Sequence, residues 1–314
     1  MKLLRGSQPI SSLQNGSVVT IGNFDGVHRG HQALIARLKK EAIHRNLPFV
    51  VVLFEPQPNE YFSKEGAAPA RLTTLREKWD IFQTLGVDYI YCLRFNNAIA
   101  TLSAEAFAEH LLFKVLHSRM ICIGPDFRFG QARQGDKTLL DKLGRLNGCD
   151  VAVFPDFCVN NTRVSSTAIR GALADGYFDL ASNFLGRPYS ISGRVVRGDA
   201  RGRQWGIPTA NIHLARQNPA LAGVYFVSIA RKNKSNEVYY GVANLGRRPT
   251  VDGFKRVLEV HFFDFDESLY DERLEVSFLK TLRSEKTFLS VDALIAQIRL
   301  DISQARAMIP QFTA

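Results

Sequence analysis

The chain has 314 residues, 46% hydrophobic and 22% charged. That mix excludes collagen-like, low-complexity and wholly disordered classes, and the length suggests two domains at about 150 residues each. The net charge of +10 suits anionic partners. It is interspersed, with +4 over residues 1–185 and +6 over residues 186–314, which favours phosphate-bearing small molecules over a nucleic-acid backbone.

No apolar run approaches the ~18 residues of a membrane span. The start, Met-Lys-Leu-Leu-Arg-Gly-Ser, carries charge without a following apolar stretch, so no signal peptide is expected. No membrane partner is expected either, and the expected location is cytoplasmic. The four cysteines form no CxxC pair and read as reduced, buried thiols.

In chain order, Ser17–Ile21 is a short β-branched run. His31–Arg45 carries Leu34, Ile35, Leu38, Ala42 and Ile43 at helical spacing. Phe49–Phe54 is a continuous apolar run, as in a strand buried on both faces. A helix over Leu75–Leu85 and a strand over Val87–Leu93 follow. Ser103 caps a helix running to Leu116. Then come Met120–Ile123 as a strand, Asp136–Leu146 as a helix and Val151–Phe154 as a strand. This alternation predicts a doubly wound α/β domain.

The rhythm changes after Leu185, where Gly186-Arg187-Pro188 interrupts the chain. Strand-like runs then dominate: Tyr189–Val196, Gly223–Arg231, Val238–Leu245, Arg256–Phe265 and Leu274–Leu279. Residues 233–236 read as a hairpin turn. Ser290–Met308 forms one closing helix with Leu294, Ile295, Ile298 and Ile302 on a stripe. Several short strands and one helix predict a small antiparallel barrel.

Gly22-Asn23-Phe24-Asp25-Gly26-Val27-His28-Arg29-Gly30-His31 follows the first strand and opens the first helix. Backbone N–H groups at a helix start, with glycines permitting close approach, make an anion site. His28 and His31, three apart, face one side of the first turn. Two donors there suit nucleotide phosphates and the charge that develops as one is attacked. A half metal site or surface histidines are the bland alternatives. The glycines, the strand-to-helix position and the H-x-G-H spacing outweigh them, and the segment resembles the signature of the HxGH nucleotidyltransferase superfamily.

Ser165-Ser166-Thr167 with Arg170 is, by itself, a good helix N-cap. Beside an upstream HxGH it resembles that superfamily's second phosphate clamp. Phe54-Glu55-Pro56-Gln57-Pro58, Arg71-Leu72-Thr73-Thr74, Phe95-Asn96 and Gly124-Pro125-Asp126-Phe127-Arg128-Phe129-Gly130 resemble segments of prokaryotic FAD synthetase modules. The last follows a strand, at the carboxyl edge where α/β ligands bind. Phe127 and Phe129 are expected to flank an isoalloxazine ring, with core packing the alternative for one of them. Asp126 is expected to face the substrate.

In the second half no Walker A pattern or protein-kinase set occurs. Gly198-Asp199-Ala200-Arg201-Gly202-Arg203 is a pliable basic loop suited to phosphates. Thr209 and Asn211, two apart on an extended segment, share a face and offer hard oxygens suited to Mg²⁺. Pro208-Thr209-Ala210-Asn211 alone would be a turn. With Gly206-Ile207 before it, it resembles the PTAN motif of riboflavin kinases. Leu185–Tyr189, Gly223-Val224-Tyr225, Gly241–Gly246 with Arg248-Pro249-Thr250, and Leu258-Glu259-Val260-His261 agree. In that family the glutamate of the last segment is the base, which implies Glu259. Departures are Pro125, Ile207 where Phe is usual, and Asp271 where many relatives have glycine.

The resemblance runs from about residue 15 to 308 and identifies the chain as similar to prokaryotic bifunctional riboflavin kinase/FAD synthetases. It implies an adenylyltransferase domain over 1–185, a Rossmann-like HxGH fold, and a kinase domain over 186–314, a β-barrel with a closing helix. Riboflavin, FMN, FAD and ATP would be substrates or products, with Mg²⁺ as cofactor. Glu259, His28, His31 and Arg170 would be catalytic. Gly22, Asn23, Phe24, Asp25, Gly30, Ser165, Ser166, Thr167, Gly198, Arg201 and Gly202 would hold ATP phosphates. One alternative is an HxGH nucleotidyltransferase with another acceptor, against which the PTAN half argues. The other is a basic nucleic-acid-binding protein, for which no RNP-type aromatic motif or zinc-finger spacing speaks.

Overall fold

The computed structural model describes residues 1–5, 10–64, 67–198, 201–216, 218–232, 237–250 and 253–312. The chain divides into two compact units. One comprises residues 1–69 and 75–166, the other residues 70–74 and 167–314. The helices Ser166–Ala174 and Phe178–Leu185 thus fall, apart from Ser166, in the second unit. The expected turn at 233–236 lies outside the described residues.

Among the described residues, the first unit is built on a parallel sheet of β1 (Lys2–Leu4), β2 (Ser17–Ile21), β3 (Phe49–Glu55), β4 (Tyr89–Arg94), β5 (Ser118–Ile123) and β6 (Asp150–Val153). Their order is β1-β4-β3-β2-β5-β6, the doubly wound arrangement read from the sequence. The apolar run of β3 has the reason expected: Phe49 to Leu53 are all at most 1% exposed, because both faces are covered. A short hairpin, β7 (Cys158–Val159) and β8 (Thr162–Arg163), follows the sheet.

The helix Arg29–Arg45 buries Leu34, Ile35, Leu38 and Ala42. Ile43, expected on that stripe, is 69% exposed, since it falls just beyond the apolar arc on the last turn. Ser103 accepts a hydrogen bond from Ala106 N at 3.1 Å, as its capping role requires. The helix it opens widens into a π-helix over Ala108–Val115. Asp136 and Ser290 cap their helices through Leu139 N and Ala293 N.

In the second unit β9 (Ser190–Val196), β10 (Ala210–Ile212), β11 (Gly223–Arg231), β12 (Val238–Thr250), β13 (Gly253–Phe262) and β14 (Arg273–Arg283) form a closed barrel. The order is β10-β13-β12-β11-β14-β9 and every pairing is antiparallel. Closure leaves no free edge. The closing helix runs over Val291–Met308 and packs Ile302 and Ala305 against Val224, Phe226 and Val242.

Cys92, Cys122 and Cys149 are buried, and burial pushes the Cys149 thiol up to about 12. Cys158, expected to be buried, is exposed, because it lies on the surface hairpin rather than in the sheet. No helix among the described residues is long and apolar enough to cross a membrane.

Candidate active sites

In the first unit the chain turns sharply between β2 and the first helix. Phe24, Gly26 and Val27 all take left-handed φ values of 47°, 81° and 41°. Such a turn is costly for Phe and Val. It is held by burial of both, at 3% and 0% exposure, and by Lys78, whose Nζ donates to Asn23 O at 2.7 Å. Lys78 is itself 1% exposed. The turn delivers His28 as the helix N-cap, its Nδ1 accepting from His31 N at 3.3 Å.

The two imidazoles stack, with centroids 3.6 Å apart and planes 16° from parallel. The Phe24 ring also meets His31, tilted, with centroids 4.8 Å apart. Burial, then the neighbouring His28 and Lys78, hold the His31 pKa well below its ordinary value. His31 is therefore neutral at neutral pH. Its Nδ1 is buried and has no hydrogen-bond partner among the described residues. A Cβ on Gly30 would meet the His28 ring at 3.3 Å, so glycine lets the rings approach the helix.

The Ser165–Arg170 segment reaches this turn across 141 residues of sequence: Ser166 Oγ donates to Asp25 O at 2.8 Å. Gly22, Asn23, Phe24, Asp25, His28, Gly30, His31 and Ser166 are thus held about one turn of chain. Thr167 and Arg170 lie on the same helix as Ser166 but cluster with the second unit, where Arg170 Nε donates to Ala70 O at 2.5 Å.

In the loop after β5, Phe127 is half-buried and stacks on Phe129, 5.5 Å away. Phe129 is 6% exposed and packs on Phe107, which is the core-packing alternative. Asp126 is exposed and ion-paired to Arg163, which also binds Asp156 at 2.9 Å.

Among the described residues of the second unit lie cavities of about 420 Å³ and about 590 Å³, the first and the second. Residues of β13 alternate between them. Val257, Glu259 and His261 line the first cavity, while Val260 and Phe262 line the second. This follows from the two-residue period of a strand. Thr209 and Asn211 border both. Asn211 stands opposite Glu259 in the β10–β13 ladder, and Asn244 stands opposite Glu259 on the β12 side.

The first cavity is apolar and aromatic over Trp205, Val224, Val242, Phe288, Leu294 and Ile298. Gly198 and Arg203 line the second. A Cβ on Gly198 would overlap the Asn211 amide, so this glycine lets the loop close onto Asn211. Gly202 lines the first cavity. Arg201's side chain, Asp199, Ala200 and the side chains of Arg248, Pro249 and Thr250 lie outside the described residues.

Sequence reasoning missed Lys78, which looks like a surface helix lysine. It also missed the Asp301–Arg283 pair that lines the first cavity. Asp301 is 2% exposed and accepts from Arg283 Nε at 3.0 and 3.1 Å and from Gln297 Nε2 at 2.9 Å. The available signal was a charge beside Ile298 and Ile302 on the apolar stripe of the closing helix.

Residues 10–168 match the family model of FAD synthetase, and residues 185–309 that of riboflavin kinase. The bifunctional riboflavin kinase/FMN adenylyltransferase of Escherichia coli strain K12 is 48% identical, over 98% of this chain and 97% of its own. The chain belongs to this bifunctional family. A relative of the same name from Haemophilus influenzae is 44% identical over 98% of this chain and 99% of its own. A crystal structure described as a macrolide-efflux protein from Streptococcus pneumoniae superposes with a TM-score of 0.79 at 30% identity, covering 97% of this chain and 98% of that one.

Proposed function

We propose that two domains, residues 1–185 and residues 186–314, divide two phosphorus transfers between them, with the residues named above in specific roles. As a member of its family the chain is a riboflavin kinase and an FMN adenylyltransferase. Riboflavin phosphorylation is assigned to residues 186–314 and adenylylation of FMN to residues 1–185.

For the kinase step, riboflavin occupies the apolar cavity and ATP the glycine- and arginine-lined one. The riboflavin 5′-hydroxyl oxygen bonds to the γ-phosphorus, the bond to the ADP oxygen breaks, and the hydroxyl proton passes to Glu259. The observation that carries this reading is the row Asn211–Glu259 at the partition between the cavities. The Thr209 hydroxyl and Asn211 amide oxygen are hard donors bordering both cavities, a set that fits Mg²⁺. Bound there, the cation would supply charge neutralisation for the transferring phosphates.

For the adenylyl step, an FMN phosphate oxygen attacks the α-phosphorus of ATP and pyrophosphate leaves. Neutral His31 and its stacked partner His28 offer N–H donors at a helix start, where a phosphate is favoured electrostatically. Ser165 and Ser166 add donors from the second helix start. The ring of Phe127 is assigned to the isoalloxazine and Phe129 to its support. Positioning and electrostatics suffice for both transfers, so no covalent enzyme intermediate is needed. ATP as donor and the three buried thiols support a cytoplasmic location.

The test is incubation with riboflavin, ATP and Mg²⁺ and separation of the flavins. FMN and then FAD are expected. A folded protein that makes neither overturns the reading, and one that stops at FMN overturns the adenylyl half.

A further inference from the structure

Phe265, Asp266, Glu267, Ser268, Leu269 and Tyr270 form one wall of the second cavity. They belong to no strand: β13 ends at Phe262 and β14 begins at Arg273. A segment of this length between strands is ordinarily the loosest part of a barrel. Here one buried side chain holds it at Phe265 and Glu267 and anchors the chain just beyond it at Glu272.

Arg231 ends β11 and is 6% exposed. Its Nε and Nη2 donate to the two carboxylate oxygens of Glu272 at 2.8 and 2.6 Å. Its Nη1 donates to Glu267 Oε2 at 2.8 Å. The guanidinium also lies 5.5 Å from the centroid of Phe265, whose ring meets Tyr239 edge-on at 5.1 Å. Glu267 and Phe265 are themselves cavity-lining residues, and Glu272 closes the loop just before β14.

A buried cation is tolerated only when fully paired. The planar fork of arginine satisfies two carboxylates at fixed angles, which an ammonium cannot do. The barrel does not need this node. Strand β11 is laddered to β12 over Gly223–Ala230 and to β14 over Val224–Arg231. What the node fixes is the loop.

We propose that Arg231 is a positioning residue for the nucleotide of the kinase step, holding the 265–270 wall of the second cavity in its binding shape without touching the nucleotide. This rests on the reading that ATP occupies that cavity. Riboflavin lies across the partition and the adenylyl site lies in the other unit. The effect is therefore confined to ATP in one of two reactions.

The full-length enzyme tests this through Arg231→Lys, Arg231→Met and Glu267→Gln. Expected for Arg231→Lys is about a ten-fold rise in the KM for ATP of riboflavin phosphorylation and in the Kd for ADP, the scale of one charge-assisted hydrogen bond. Glu267→Gln removes the charge from one exposed arm and should raise both by about three-fold. kcat at saturating ATP, the KM for riboflavin and FMN adenylylation should each stay within about two-fold of wild type, a margin under 0.5 kcal/mol. An unchanged KM for ATP in the folded variants overturns the proposal. So does a loss in kcat and riboflavin affinity parallel to the loss for ATP, which is what a general loosening would give. If Arg231→Met does not fold, Glu267→Gln decides. Val196→Trp, which fills the same cavity from β9, separates the two ideas. If it leaves ADP affinity untouched, the nucleotide lies elsewhere and the underlying reading falls, whatever the Arg231 variants do.

Discussion

Asn211 and Glu259 stand directly opposite each other in the β10–β13 ladder, on the partition between two cavities. Backbone pairing thereby sets a hard amide and a carboxylate on neighbouring strands at the same level of the barrel. Glu259→Gln keeps the shape but cannot accept a proton. Riboflavin phosphorylation is expected to fall by about 10²–10⁴, with riboflavin binding and FMN adenylylation retained. Turnover and binding measured in the same variant check this, and turnover close to wild type removes Glu259 as the base.

Gly198 lies against Asn211. A Cβ there would overlap the Asn211 amide. Gly198→Ala is expected to displace that amide and reduce the kinase rate by an amount comparable to Asn211→Ala, both with a raised Mg²⁺ requirement. A Mg²⁺ titration of both variants is the measurement, and normal titrations would take Asn211 out of the ligand set.

His31 offers a pH signature. Its folded pKa is depressed by burial first, then by His28 and Lys78. Below about pH 6.5 the unfolded chain takes up a proton that the folded ring refuses, so stability falls as pH drops from that point. A fall in stability between pH 7.5 and 5.5 is therefore expected from this one group. Urea unfolding of wild type against His31→Gln should show that increment vanish in the variant. In the same variant adenylylation should drop about 10²–10³-fold with the kinase step spared.

Asp271 takes φ of +64° in the position where the sequence departs from glycine. Glycine adopts that conformation without a Cβ penalty. Asp271→Gly is expected to stabilise the second unit by up to about 1 kcal/mol, read as a higher thermal midpoint, with both activities kept.

Fragment boundaries give a further check. The helix Phe178–Leu185 buries Phe178, Ala181, Phe184 and Leu185 in the second unit, with Phe178 edge-on to Tyr225 at 5.8 Å. A fragment of residues 167–314 should make FMN but no FAD. It should be more stable to urea than residues 186–314, which lose that packing. Equal midpoints would show that the helix adds nothing to the barrel.

The sequence by itself determined the elements and their class. Continuous apolar runs, 3.6-residue stripes and capping residues are local signals, and β2, β3, β11 and the closing helix lie where those signals put them. The glycine-rich turn, the His28–His31 spacing and Thr209–Asn211 were likewise legible, because neighbours in sequence share a turn or a strand face. Tertiary structure alone decided what meets across distance. Ser166 reaches Asp25 only because the sheet order brings two loops to one edge. Glu259 meets Asn211 only through barrel register, which long-range strand pairing sets. Asp301 and Arg231 are buried. The partners that make their burial affordable, Arg283 and Glu272, come from other strands of the barrel or from the loop that joins them, and no local pattern announces a partner that distant.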